Sequence, residues 1–190
     1  MKNQIDILLA LLALMLAASA GAAVDETLIQ QEYLRLQSEP DHTVTFEISA
    51  EQEFVFDFLT QRVHDYTTRA DSVSFDHANS AIENNLGPGS LRITTMENSE
   101  QLVQRFLFYD PPNGYAYFTD MEKSTVDVPL SYSLARYELM RMDDERTRLR
   151  VSVVYQSSSR LLSFFVRRAF NSALENDFAS AVELIEAEYP

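Results

Sequence analysis

Arg92 is the charged residue with the clearest potential for ligand chemistry. It lies between Leu91 and Ile93 in a segment that alternates like a strand, so it points to the face opposite these two apolar neighbours. A guanidinium inside an apolar cleft needs an anionic partner, which is either a ligand carboxylate or a carboxylate of the protein. Alternation does not say which face is covered, so a solvated sheet face or a structural ion pair remains the alternative.

Aromatic residues are abundant, with 12 Phe and 9 Tyr in 190 residues. Ordinary core packing is one interpretation of this set. The other is that part of it lines a pocket, in which a few tyrosine hydroxyls orient a mostly apolar guest. The predicted ligand-binding residues are Arg92, Phe106, Phe108, Tyr115, Tyr117, Tyr132, Tyr137, Phe165 and Phe170.

Other kinds of catalytic or metal site have little support. The three histidines, at positions 42, 64 and 77, stand far apart in the sequence, and there is no cysteine. No nucleophile elbow is present, and Gly87-Pro88-Gly89 is too short to cradle a phosphate. We therefore predict no catalytic residue, no metal and no cofactor.

Composition and charge limit the partners. The 15 basic and 29 acidic residues give a formal net charge of −14, which repels the phosphate backbone of nucleic acids. A hydrophobic content of 46% is ample for a core, and the length is typical of one domain.

Residues 1–23 are typical of an export signal. Lys2 precedes an apolar run from Ile7 to Ala18, and small residues suited to signal peptidase follow. The run is shorter than the roughly 20 residues that span a bilayer. We predict a cleaved signal and a periplasmic or secreted protein. The alternative is a membrane anchor over residues 5–23, which would be the chain's one contact with a membrane.

The middle of the chain is predicted to form a lead-in over residues 24–41, a first strand, a short helix and then about six strands in succession. The lead-in is a short helix or an extended segment that ends at Pro40, and the next strand is His42 to Ile48. Ser49 is a candidate N-cap for a short helix, with Gln52 completing a capping box. The later strands lie near residues 72–79, 91–96, 102–109, 115–121, 131–142 and 147–155, with the turn Gly87 to Ser90 before the third strand.

The last segment, from about Ser159 to Glu188, reads as one long amphipathic helix. Its apolar residues recur at steps of three and four, including Phe165, Phe170, Phe178 and Ile185. Such a stripe needs a broad apolar surface opposite it. The sequence thus predicts an α+β domain over residues 42–190, in which a curved antiparallel sheet of six or seven strands grips this helix.

The element order resembles the START-like, or SRPBCC, superfamily, and its polyketide cyclase/dehydrase-like branch in particular. The resemblance is carried by Gly87-Pro-Gly-Ser-Leu-Arg92, by the helix start Ala50 to Phe54, and by Ala135 to Leu139 followed by Thr147 to Val151. It covers roughly Thr43 to Glu186 and implies a helix-grip fold with a deep cavity. Members of that superfamily bind lipids, hormones or polyketides, and a minority are enzymes.

Three functions are compatible with these observations. The first is an exported domain that binds a hydrophobic small molecule or lipid in its cavity without catalysis. The second is a cyclase- or dehydratase-type enzyme that uses tyrosines and a cavity carboxylate such as Glu97 or Glu122. The third is an interaction or envelope protein whose cavity is closed.

Overall fold

A computed structural model describes residues 25–158 and 163–190, so the predicted export signal lies outside the described residues. The elements in chain order are α1 Glu26–Ser38, β1 His42–Ile48, α2 Gln52–Gln61, α3 Val63–Tyr66, β2 Ala70–Asp76, β3 Leu91–Met96, β4 Gln101–Asp110, β5 Gly114–Thr119, β6 Leu130–Asp143, β7 Arg146–Ser157 and α4 Ser163–Glu188.

The seven strands form one antiparallel sheet in the order β1-β7-β6-β5-β4-β3-β2. Strands β2 to β7 follow one another as a meander, and β1 joins at the far side of β7. The main core contains the buried residues of α2, α3 and the second half of α4, packed on one face of this sheet. The α+β architecture predicted from the sequence is confirmed.

The turn before β3 depends on Gly89. Its φ is +92°, and a Cβ placed there would lie 2.0 Å from the carbonyl oxygen of Asn79. A side chain is excluded by both the backbone conformation and this close approach. The turn predicted from Gly87 to Ser90 is therefore confirmed, and it delivers the chain directly into Leu91 and Arg92.

Among the described residues, helix α4 is packed most tightly in its second half. Phe178, Ala181 and Ile185 are buried in the main core, whereas Ala169 and Ala173 nearer its start are exposed. The predicted helix start at Ser159 falls among residues 159–162, outside the described part of the chain. No helix in residues 25–158 or 163–190 is long and apolar enough to cross a bilayer.

Polar contacts fix the carboxyl end of α4. The Ser49 backbone N–H donates to Glu186 Oε1 at 2.7 Å, and Arg62 pairs with Glu188. The capping box predicted at Ser49 is wrong, because α2 begins at Gln52 with Glu51 as its N-cap. Gln52 is buried instead and donates to the carbonyl oxygen of Leu139 at 3.0 Å.

The lead-in is a helix, α1, and it covers part of the outer face of the sheet. Asp25 caps it, accepting a hydrogen bond from the Thr27 backbone N–H. Arg35, in its last turn, binds both carboxylate oxygens of Asp41 at 3.0 and 2.9 Å. A second apolar cluster joins the helix to the sheet through Ile29, Leu36, Phe118, Tyr132, Leu134 and Val154.

Candidate functional site

A cavity of about 390 Å³ lies between the concave face of the sheet and the first half of α4. The tight contact of the second half of α4 closes one end, and the loop before β6 borders the other. Most of its wall is apolar. The apolar lining includes Val63, Leu102, Met121, Val128, Pro129, Leu130, Ala135, Val153, Ala169, Phe170, Ala173, Leu174 and Phe178.

Four buried polar residues cross the sheet floor of the cavity in one line, which we call the polar row. Strand pairing places Arg92 opposite Gln104, Gln104 opposite Thr119, and Thr119 opposite Ser133. All four line the cavity and are buried. Ser133 Oγ donates to Thr119 Oγ1 at 3.0 Å. With neighbouring strands about 4.8 Å apart, the row is roughly 14 Å long.

Arg92 is the charged member of the polar row. Its side chain is 1% exposed, and its Nε and Nη2 donate to Gln104 Oε1 at 2.9 and 2.8 Å. Its guanidinium carbon lies 4.8 Å from the centre of the Tyr117 ring. Burial disfavours the charge of Arg92, but an arginine guanidinium stays protonated in proteins, so the group is charged. No carboxylate among the described residues forms an ion pair with it.

A cluster of four tyrosines, at positions 66, 115, 117 and 137, surrounds the guanidinium. The Tyr66 and Tyr115 hydroxyls donate to the carbonyl oxygen of Leu59 at 2.9 and 3.3 Å. The hydroxyls of Tyr117 and Tyr137 lie 3.0 Å apart. Burial raises the pKa of Tyr66, Tyr115 and Tyr137 above the usual value of 10.0, so these hydroxyls are neutral at physiological pH.

Asp177 of α4 is the carboxylate that lines the cavity. Burial raises its pKa, while hydrogen bonds from the Thr68 hydroxyl at 2.9 Å and the Thr68 backbone N–H at 3.4 Å lower it. The net effect is a raised pKa, and no arginine contributes to it. Asp177 and Arg92 are therefore separate polar points in an otherwise apolar space.

The structure brings four of the nine predicted ligand-binding residues together at the cavity: Arg92, Tyr117, Tyr137 and Phe170. Phe106 and Tyr115 are buried on the same face of the sheet, with ring centres 5.9 Å apart, and lie outside the lining. The side chain of Phe165 is outside the described part of the structure. Contact of any of these residues with a ligand remains a prediction.

Phe108 and Tyr132 lie on the outer face. A register shift between Phe106 and Phe108 adds one residue to β4, so Tyr109 takes the inward position opposite Tyr115. Phe108 then faces outward, with the Arg136 guanidinium 5.6 Å from its ring centre. Tyr132 is an odd number of positions from Tyr137 on β6, so the two point to opposite faces, and Tyr132 packs with α1.

Sequence reasoning missed Asp177, Thr94 and the other three members of the polar row. Asp177 had a signal, because it lies four residues after Ala173 and four before Ala181 on the apolar stripe. Gln104, Thr119 and Ser133 had none, because only strand pairing aligns them. Glu97 and Glu122, the carboxylates expected in an enzyme, are both exposed and outside the cavity lining.

The histidines have separate partners on the surface. His42 lies 3.3 Å from Glu175, His64 lies 3.4 Å from Asp65, and His77 Nδ1 lies 3.1 Å from Ser90 Oγ. Within residues 25–158 and 163–190, no three histidine or acidic residues are grouped as a metal site would require.

Comparison with solved structures identifies this arrangement of sheet, helix and cavity. Ara h 8.0201 matches with a TM-score of 0.57 and 14% identity, over 77% of this chain and 99% of its own. The Zhui aromatase/cyclase from Streptomyces sp. R1128 matches with a TM-score of 0.53 and 13% identity, over 77% and 91%. The chain has the helix-grip fold of the START-like, or SRPBCC, superfamily.

A further helix-grip neighbour is norcoclaurine synthase from Thalictrum flavum, solved with dopamine and hydroxybenzaldehyde. Its TM-score is 0.54 at 11% identity, over 78% of this chain and 87% of its own. At these identities the likeness establishes the fold, and it confirms the resemblance predicted from the turn and hairpin segments. No protein-family model matches the sequence, and neither does any curated protein.

Proposed function

We propose that this protein is an exported helix-grip domain that binds a hydrophobic small molecule or lipid in its cavity, without catalysis. The observation that carries the proposal is the apolar space of about 390 Å³ beneath α4. Pockets for small molecules are typically about 300–1,000 Å³, with mostly apolar walls and a few polar groups. A wholly filled interior, which the interaction-protein alternative requires, does not agree with this cavity.

The exported location rests on the sequence of residues 1–23 alone. If the signal is cleaved, the mature protein works outside the cytoplasm, where an apolar compound needs a carrier to cross an aqueous space. An apolar guest gains free energy with the area that it removes from water, about 25 cal/mol per Å². The cavity therefore suits sequestration or transport better than a surface patch would.

A cavity-filling variant tests the binding proposal. Ala173 lines the cavity from α4, whereas Ala179 lies on the exposed side of the same helix. We expect Ala173→Phe to abolish the fluorescence gain of Nile red, a neutral apolar dye, and to remove ligands detected by native mass spectrometry. Ala179→Phe adds the same ring to the same helix and should bind like the wild type. Equal binding by both variants, or no binding by the wild type, would overturn the proposal.

A second candidate function is a cyclase- or dehydratase-type enzyme, and Asp177 is the observation that favours it. A cavity carboxyl whose pKa is raised by burial is a candidate general acid or base. The paired Tyr117 and Tyr137 hydroxyls could hold a carbonyl oxygen of the substrate. Conversion of a ligand extracted from the wild type, lost in Asp177→Asn but not in Asp143→Asn at an exposed turn, would support this function.

A further inference from the structure

The cavity wall contains a positive charge that forms no ion pair within residues 25–158 or 163–190. Arg92 is 1% exposed, and its two hydrogen bonds go to a neutral amide oxygen. Removing a charge from water without a partner of opposite charge is costly, which is why buried arginines are usually paired. The tyrosine cluster offers only hydroxyls and ring faces. A buried arginine without an ion pair therefore points to an anion that the described residues do not supply.

The guanidinium also has unused donors. Of its five N–H groups, Gln104 Oε1 accepts one from Nε and one from Nη2. Nη1 forms no hydrogen bond within the described residues, while the Tyr115 hydroxyl lies close enough to interact with the guanidinium. The end of the guanidinium between Nη1 and Nη2 is the edge that can bind a carboxylate with two parallel hydrogen bonds.

A second unpaired group of the described cavity lining belongs to Thr94. Its hydroxyl is buried, has no partner and belongs to a residue of the cavity lining. Thr94 lies two residues from Arg92 on the same face of β3, about 7 Å away along the strand. Neither its Oγ1 nor Arg92 Nη1 contacts solvent, so an incoming group reaches them only if the side chains shift slightly toward the cavity.

We infer that the occupant of the cavity is an amphiphile with a carboxylate, which binds the free edge of Arg92 and the Thr94 hydroxyl while its apolar body lies against α4. The inference rests on the proposed binding function and names the ligand class. A carboxylate fits better than a phosphate, because Arg92 is the one basic residue in the described lining. A phosphate with two negative charges would keep one of them without a partner beside the single guanidinium.

The remaining charged group of the described lining agrees with this orientation. Asp177 projects from α4 and accepts hydrogen bonds from Thr68, which lies in the short connection between α3 and β2. An ionised Asp177 repels an acid, so the head group is favoured at the sheet and disfavoured at the helix. The α4 wall around it, with Phe170, Ala173 and Leu174, suits the apolar body.

Paired probes with and without an acid test the inference. We would titrate decanoate and decanol against Nile red bound to the full mature chain, at neutral pH. The wild type should bind decanoate at least about tenfold more tightly than decanol, because hydrogen bonds to a buried charge are strong. Arg92→Met should remove this preference, and Thr94→Val should reduce it. Arg148→Met, at an exposed site paired with Glu47, should leave it unchanged.

The outcomes separate the inference from the function on which it rests. If decanol binds as tightly as decanoate in the wild type, the cavity binds apolar molecules but the acidic head group is wrong. If neither displaces the dye and the dye itself does not bind, the binding function falls as well. The wild-type comparison and Thr94→Val decide the matter even if Arg92→Met fails to fold.

Discussion

Among single residues, Arg92 affects stability and ligand binding in opposite directions. A buried guanidinium that pairs only with an amide lowers the stability of the empty protein, but it provides the charge that an acidic guest needs. Residues placed for function commonly cost stability in this way. The tyrosine cluster moderates the cost by placing the Tyr117 ring face 4.8 Å from the guanidinium carbon.

This conflict predicts the effect of Arg92→Met on stability. In protein freed of ligand, we expect the free energy of unfolding to stay unchanged or to rise by up to about 3 kcal/mol, because an uncompensated charge is replaced by an apolar side chain. Urea unfolding measures the difference. Arg148→Met, the exposed control, should change stability by about 0.5 kcal/mol or less. A loss of more than about 2 kcal/mol in Arg92→Met would mean that Arg92 is a structural anchor.

At the level of secondary structure, α1 packs on the face of the sheet opposite to the one that α4 covers. Strand alternation places Phe118, Tyr132 and Leu134 on the outer face of β5 to β7, where they form the second apolar cluster. Ile29 and Leu36 of α1 cover them, and the Arg35 pair with Asp41 fixes the end of the helix beside β1. The lead-in is therefore packed on the sheet.

Two leucines of α1 provide a matched test of this packing. Leu36 is 1% exposed and Leu34 is 65% exposed, although they are two residues apart on one helix. Leu36→Ala should cost about 2–4 kcal/mol of unfolding free energy, since it leaves a cavity at the interface. Leu34→Ala should cost about 0.5 kcal/mol or less. Equal small losses for both variants would mean that α1 detaches from the sheet in solution.

For the molecule as a whole, the packing of α4 against the sheet differs between the two halves of the helix. The second half of the helix is held by the main core and by Glu186 and Glu188, while the first half borders an apolar space. Opening free energies within one protein follow local packing, so the first half should open at a lower cost. A ligand that fills the cavity would add contacts to that half of α4.

Hydrogen exchange checks this expectation. Amides from Phe178 to Ile185 should be protected more strongly than those from Phe170 to Leu174, because only the former lie in the packed core. Saturating decanoate should slow exchange strongly from Phe170 to Leu174 and only slightly from Phe178 to Ile185, because the ligand binds only when the first half of the helix is folded. Uniform protection along α4, unchanged by the ligand, would contradict an open cavity beneath its first half.

Sequence reasoning succeeded where the signal is local. The alternation of β1, the turn at Gly89 and the second half of the apolar stripe of α4 each depend on residues a few positions apart, and each is confirmed. It was wrong at Ser49, where capping residues are present but the helix begins three residues later. It also placed Phe108 with Phe106, because an inserted residue in β4 leaves no mark in the pattern.

By itself, the amino-acid sequence determined the strands, the long helix and the fact that Arg92 faces away from Leu91 and Ile93. Only the tertiary structure decided that Arg92 faces inward, that Gln104, Thr119 and Ser133 line up with it, and that Asp177 borders the same space. The physical reason is that period-two alternation defines two faces of a strand without saying which one is covered. Which face is covered depends on strand pairing and on where α4 packs, and both of these depend on residues far apart in the chain.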